Sequence, residues 1–314
     1  MFGFDRLHCG TAEDLNAVTG CTVLIFDGGA VASVDVRGAS PGTRELALLA
    51  PDKQMERVDA ILMTGGSAFG LAAATGVMKF LAENKMGYQT PWQIVPIVPS
   101  AVIFDLNIGS STAFPDEQMG YAASQAAMKD MFSRGSRGAG TGASVGKWAG
   151  IGTAMKSGQG IGITEINGIK VAAIAVVNAF GDITDESGKP VAAAMMNGKF
   201  VVNNQRESDR IKFVASLGAN TTIVTVVTNA KLTKTQLNRI AQRGHDALAR
   251  RIAPVHTSFD GDTVFAVSLG DIDVPLDFVS ALAVDAISDA ILDAVKSAES
   301  LGGLPAYSDV HKVS

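Results

Sequence analysis

Gly218-Ala219-Asn220-Thr221-Thr222-Ile223-Val224-Thr225-Val226-Val227-Thr228 passes from small residues straight into a β-branched run. Such a run over 222–228 predicts a strand, because Val, Ile and Thr fit a pleated surface and lose side-chain freedom in a helix. Its continuous apolar character, rather than strict alternation, predicts burial on both faces. Directly downstream, Thr233-Lys234-Thr235-Gln236 opens a helix over 233–250, with Leu237, Ile240, Ala241, Ala247 and Leu248 on one face. Upstream, 205–219 carries charge and ends in small residues, an exposed approach to a buried strand, and such a junction is where a processing site is sought.

The same rhythm extends in both directions. Strands are expected at 21–26, 31–36, 58–63, 94–98, 170–177 and 263–268, and helices at 68–84, 116–131 and 279–298. Between Asp185 and Asn204, Glu-Ser-Gly-Lys-Pro, a small-residue run, Asn-Gly and Asn-Asn predict an exposed loop. Alternating buried strands and amphipathic helices define a layered α/β fold. No internal repeat or interdomain linker interrupts it, so the chain is expected to be a single domain over 1–314.

Composition narrows the function. The 314 residues are 47% hydrophobic and 18% charged, enough for a large core. A net charge of −5 without a basic cluster argues against a nucleic-acid partner. Cys9 and Cys21 have no zinc or redox spacing and are expected to be reduced, with Cys21 buried at the head of an apolar run. The start, Met1-Phe2-Gly3-Phe4-Asp5-Arg6, lacks a basic region followed by an apolar stretch, and no run is long enough to cross a bilayer. The expected compartment is the cytoplasm.

Several motifs carry chemistry on one reading and none on another. Gly138-Ala139-Gly140-Thr141-Gly142-Ala143 fits a loose dinucleotide pattern but follows a polar, basic stretch instead of a strand. Gly146-Lys147 resembles the end of a P-loop, yet the upstream glycine is one residue too far away and Trp148 stands where Ser or Thr belongs. Gly65, Gly66 and Ser67 lie between a strand and a helix, serving either tight packing or a site lined by backbone N–H groups. His8, His245, His256 and His311 show no metal-ligand spacing, and no metal or cofactor is expected. Asp260-Gly261-Asp262 reads locally as a turn or a loose cation site, and Asn220-Thr221 as an unremarkable junction.

These stretches together resemble a known family almost end to end. Gly20 to Val23, Val34-Asp35-Val36-Arg37-Gly38, Leu62 to Gly70, Val98 to Asp105, Gly138 to Lys147, Asn178-Ala179-Phe180-Gly181, Asn220 to Asn229 and Asp260 to Ala266 carry the likeness. The family is that of N-terminal-nucleophile hydrolases which holds the L-aminopeptidase/D-esterases, the β-peptidyl aminopeptidases and the 6-aminohexanoate-oligomer (nylon) hydrolases. The pattern is most similar to the nylon-hydrolase branch, through Asn-Thr-Thr-Ile, Val227-Thr228-Asn229, His256-Thr257 and Asp260-Gly261-Asp262-Thr263. It departs from the aminopeptidase branch, which has a Ser nucleophile and Ser-Gly-Glu in place of Asp-Gly-Asp.

The resemblance implies a four-layer αββα sandwich that cuts itself between Asn220 and Thr221, leaving fragments 1–220 and 221–314. Thr221 becomes the N-terminal nucleophile. Asn178 donates to the oxyanion, Lys147 supplies positive charge, Asp260 and Asp262 hold the Thr221 amine and hydroxyl, and Gly65, Gly66 and Ser67 form a pocket wall or supply backbone donors. The implied substrate is a linear amide or short peptide, and the implied assembly a homotetramer of processed units. An aminopeptidase/D-esterase, an acyltransferase and a non-catalytic binding relative are the alternatives.

Overall fold

The computed structural model describes residues 2–201 and 220–311. The exposed approach expected at 205–219, and the end of the loop at 202–204, lie outside them. Nine strands form one hydrogen-bonded sheet, eight of them along a single path. They are β1 (Leu7–Asp14), β2 (Thr19–Val36), β3 (Thr43–Arg44), β4 (Arg57–Thr64), β5 (Ser100–Val102), β6 (Gln159–Ile166), β7 (Ile169–Asn178), β8 (Thr221–Ala230) and β9 (Thr263–Ile272). Their order is β6-β7-β8-β9-β2-β4-β5-β3, with β1 on the first half of β2.

β2 divides that path into two layers. The expected strands 21–26 and 31–36 are one 18-residue strand, interrupted at Gly28 and Gly29, whose φ of 70° and 71° only glycine adopts cheaply. Residues 19–26 of β2 pair with β1, and its last six residues pair with β9. Between the two halves lies a core built from both: Leu24, Ile61 and Met63 face Ile174, Ile223 and Phe265. Alternation along the strands sends the other side chains outward. Val224, Val226 and Val264 pack under α3 (Lys234–Arg251) and α4 (Leu276–Lys296), while Val23, Ala60 and Leu62 pack under α1 (Ala73–Glu83) and α2 (Glu117–Ala127). Three stacked cores therefore separate four layers, αββα, as the resemblance implied.

Local chemistry sets the helix positions. Thr233 caps α3 in a reciprocal capping box with Gln236, and Arg250 and Arg251 stand in its last turn against the helix dipole. Leu237, Ile240 and Leu248 are fully or almost fully buried beneath it, each contributing ~1.5–3 kcal/mol. On the outer side of β6, Gly160 and Gly162 let the α4 backbone rest directly on the strand. A Cβ at Gly162 would sit 2.0 Å from Ala286 O, so any side chain there forces α4 off the sheet.

Two expectations need correction. The run 94–98 contributes only Ile94–Val95 to a two-residue strand paired with Tyr88–Gln89. The 185–204 stretch is not wholly exposed: Pro190–Ala192 pairs with Asp182–Thr184, and Val191 to Ala194 are buried. The small side chains taken as loop formers are what allow that close packing, for Gly146 lies against the Ala193–Ala194 backbone. Cys9 and Cys21 are both free and buried, the burial of Cys21 as expected. Among the described residues no helix is long and apolar enough to cross a membrane.

Candidate active site

Topology explains why residues far apart in sequence meet at Thr221. β8, α3 and β9 form a βαβ unit whose strands run parallel, so the two strands begin side by side. Ile223 pairs with Thr263, and three residues earlier Asn220 bridges to Asp260. β7 runs antiparallel to β8, so its last residue, Asn178, stands opposite Thr221. Both side chains belong to the face that turns toward the second sheet, the face of Ile174, Val176, Ile223 and Val227. The site thus lies at one end of the packed layer between the two sheets.

The Asn220–Thr221 peptide is held tightly. Asn220 N donates to Phe259 O at 2.8 Å, and Gly261 N donates to Asn220 O at 2.8 Å. Thr221 Oγ1 also donates to Asn220 O, at 2.5 Å. The carbonyl of this bond therefore receives two donors. Thr221 is only 3% exposed in the uncut chain. Gly261 permits the approach: a Cβ there would lie 2.8 Å from Thr221 Oγ1 and 2.8 Å from Ser40 O.

Both aspartates are buried and oriented by donors. Asp260 Oδ2 accepts from Thr257 N at 2.8 Å and Thr257 Oγ1 at 2.6 Å. Asp262 Oδ1 accepts from Thr222 N at 2.7 Å, and Oδ2 meets His256 Nδ1 at 2.8 Å. Their backbones are clasped by the turn after β2, where Arg37 N donates to Asp262 O and Ser40 N to Asp260 O. Burial pushes the Asp260 carboxyl up to about 6, the charge of Asp262 adds to the rise, and the Thr257 hydrogen bonds and Lys147 oppose it.

On the other side, Lys147 Nζ donates to Asn178 O at 3.1 Å and to Asn178 Oδ1 at 2.8 Å. Ser144 N donates to the same Oδ1 at 3.1 Å. Lysine and a backbone N–H can only donate, which fixes the amide orientation and turns Nδ2 toward Phe104 O at 3.0 Å. Burial pulls the Lys147 ammonium down to about 7, with Asp260 and Asp105 drawing it the other way.

Gly65, Gly66 and Ser67 approach through Asp105. Gly66 N donates to Asp105 Oδ1 at 2.7 Å, Gly65 N to Gly20 O at 2.9 Å and Ser67 N to Ile103 O at 3.0 Å. All three N–H groups are taken inside the fold, so the loop does not present them as a row of free donors. A Cβ at Gly65 would sit 2.2 Å from Asp105 Oδ2, so the glycine serves close packing. The glycine-rich 138–142 stretch likewise packs on Thr22, Gln159 and Asp105. Its anchor is Lys156, fully buried, whose ammonium donates to the carbonyls of Gly140, Ala143 and Ser157.

Sequence reasoning gave no role to His256, Thr257, Gly261 or Asp105, although all four lie in stretches that carry the family resemblance. No group of three or more His, Cys, Asp or Glu residues placed to hold a metal occurs among the described residues.

Comparison with known proteins defines the class. The profile of peptidase family S58 matches residues 5–307. An uncharacterised aminopeptidase of Mycobacterium tuberculosis is 39% identical over 333 aligned positions, covering 98% of this chain and 94% of its own. The 6-aminohexanoate-oligomer endohydrolase of a Kocuria species is 33% identical, over 94% of this chain and 85% of its own. The solved structure of the L-aminopeptidase D-Ala-esterase/amidase of Ochrobactrum anthropi, described as a variant of the Ntn-hydrolase fold, superposes with a TM-score of 0.67 at 18% identity, covering 96% of this chain and 87% of its own. A Burkholderia β-aminopeptidase gives 0.65 at 18% identity, over 96% and 89%. The fold is that of the Ntn hydrolases. The chain belongs to peptidase family S58, whose members hydrolyse peptide and amide bonds.

Proposed function

We propose that this S58 hydrolase matures by cutting itself between Asn220 and Thr221, and that the freed Thr221 is its nucleophile. The observation that carries this reading is the doubly hydrogen-bonded Asn220 carbonyl with the Thr221 hydroxyl at 2.5 Å. Thr221 Oγ1 attacks the Asn220 carbonyl carbon, and Gly261 N–H stabilises the oxyanion that forms. The C–N bond breaks, the released amine takes the proton, and water hydrolyses the resulting ester, leaving the Asn220 carboxylate. The new α-amine has an intrinsic pKa of ~7.7–8.0 and lies on the nucleophile's own residue, so it takes the hydroxyl proton at near-neutral pH with positioning built in.

In turnover, Oγ1 attacks a substrate amide and forms an acyl-enzyme. One hydrogen of Asn178 Nδ2 serves Phe104 O, and the other is assigned to the substrate oxyanion. Asp260 and Asp262 hold the Thr221 amine and hydroxyl and shuttle a proton, and Lys147 holds Asn178. In this reading fragments 1–220 and 221–314 stay together as one protomer of a cytoplasmic homotetramer.

For substrate we infer linear aliphatic amides such as 6-aminohexanoate oligomers, cut internally as well as at their ends. The relative named as an oligomer endohydrolase supports this, as does the engagement of both Asp262 oxygens by Thr222 and His256, which occupies acceptor positions that a substrate ammonium would need. The relative named as an aminopeptidase supports a second reading, release of single N-terminal residues. Comparing free and N-acetylated 6-aminohexanoate tetramers by mass spectrometry separates them. Cleavage of both forms supports the endo-amidase. Cleavage of the free oligomer alone, one residue at a time from its amine end, moves the assignment to the aminopeptidase.

A further inference from the structure

We propose that His256 is a positioning residue for the self-cleaving and hydrolytic site, its Nδ1–H clamping Asp262 Oδ2 so that Oδ1 is presented to the first residues of β8. This rests on the Thr221 reading above.

The geometry is specific. His256 has a φ of 54°, a left-handed backbone that costs a non-glycine residue energy and to which His and Asn are better suited than most. That turn brings two donors to one oxygen: His256 N lies 3.3 Å and His256 Nδ1 2.8 Å from Asp262 Oδ2. With Oδ2 so held, Oδ1 meets Thr222 N at 2.7 Å, one residue from the nucleophile. The other ring nitrogen, Nε2, is buried without a hydrogen-bond partner among the described residues. A neutral imidazole with its proton on Nδ1 satisfies the carboxylate and leaves on Nε2 only a lone pair, a smaller cost than an orphaned N–H.

Second-layer contacts hold the ring. His245 on α3 packs edge-on against it, with ring centroids 4.8 Å apart at 69°. His245 Nε2 lies 3.1 Å from Asp35 O and 3.4 Å from Asp35 Oδ1 on β2, and Asp35 in turn accepts from Arg37 Nε. Burial pulls His245 down to about 4, so this neighbour stays neutral and sets no positive charge against the His256–Asp262 pair. The titratable groups facing His256 are thus Asp262 and His245, with Asp35, Arg37 and Asp260 behind them. A donor to an ionised carboxylate favours the ionised form. Loss of the Nδ1–H bond therefore raises the pH at which the Asp260–Asp262 pair protonates and the site fails.

Labelled chain made by cell-free synthesis is chased at pH 5 to 9, and conversion to the 220- and 94-residue fragments is timed. Asn places its Nδ2 where the His Nδ1 stood and tolerates the left-handed backbone, so His256→Asn should convert at nearly the wild-type rate with the same acid limb. Gln carries its donor one bond further out. His256→Gln should convert at least ~10-fold more slowly, with the acid limb displaced upward by about one pH unit. A His256→Gln chain that matches the wild type overturns the proposal, as does equal slowing in both variants with an unmoved acid limb. A second measurement needs no His256 variant: nitrogen-15 shifts of the histidines in uncut Thr221→Ala protein should place the His256 proton on Nδ1. A proton on Nε2 alone would overturn it. Cleavage of Thr221→Ala itself would bring down the parent reading, an outcome separate from the failure of His256 alone.

Discussion

Asn178 stands directly opposite Thr221 in the antiparallel pairing of β7 and β8, and its side-chain oxygen is held by Lys147 Nζ at 2.8 Å. Every other feature of the site is arranged about that pair. On one flank the start of β9 brings the two aspartates, and on the other the 138–147 loop brings the lysine.

The first prediction concerns the amide. Asn178→Asp keeps an acceptor for Lys147 and Ser144 N but supplies no donor to the oxyanion. Turnover by matured protein should fall about 10²–10³-fold, or ~2.7–4 kcal/mol, the usual cost of one such donor. Steady-state kinetics on the tetramer substrate would read it, and a kcat within a factor of three of wild type would remove Asn178 from the oxyanion role.

The carboxylates give the second. Asp260→Asn and Asp262→Asn should each slow turnover at least ~100-fold if they orient the nucleophile. Three of their four oxygens already face hydroxyl, imidazole or backbone N–H donors, which is the environment of a hydrogen-bonded carboxylate. EDTA should therefore leave wild-type activity intact. Loss on chelation, restored by calcium or zinc, would assign Asp-Gly-Asp to a cation instead.

Stability against pH supplies the third. Burial pulls Lys147 and Lys156 each from 10.5 to about 7, so above pH 7 the unfolded chain binds more protons than the folded one. Stability must then rise with pH through that window. From about pH 9 the buried thiols of Cys9 and Cys21, pushed upward by burial, act in the opposite sense. In uncut Thr221→Ala protein the urea midpoint should climb between pH 7 and 8.5, and less steeply in Thr221→Ala/Lys156→Met. A midpoint that falls over this interval would contradict the assignment.

How much of this was legible beforehand differs between fold and site. The β-branched run after Thr221 and the α3 pattern were read within one or two residues, because their periodicity is strong. β1 and β6 were missed since Gly10, Gly160 and Gly162, which admit helix backbones against the strands, look like turn formers in a linear reading. In the site, Asp260-Gly261-Asp262 is locally indistinguishable from an ordinary turn. Only the parallel register of β8 and β9 brings it to Thr221, and a register across some forty residues leaves no local trace. His256 was opaque for a related reason: its bond to Asp262 depends on a left-handed backbone that its neighbours do not announce.

A fourth prediction isolates the scissile bond. Gly261→Ala would set a Cβ 2.8 Å from Thr221 Oγ1, displacing either the hydroxyl or the N–H that binds Asn220 O. The variant should accumulate as uncut chain, at least ~10-fold slower to mature than wild type. Intact mass over time would show it, and wild-type maturation would mean that this N–H is dispensable.

The central claim is that Thr221 cuts the chain and then works as its N-terminus. Purified wild-type protein, run on a denaturing gel and followed by N-terminal sequencing of the smaller band, tests it most directly. The expected result is two fragments of 220 and 94 residues, the smaller beginning Thr221-Thr222-Ile223, and an intact, inactive Thr221→Ala chain. A wild-type protein fully active as one uncut 314-residue chain would contradict it.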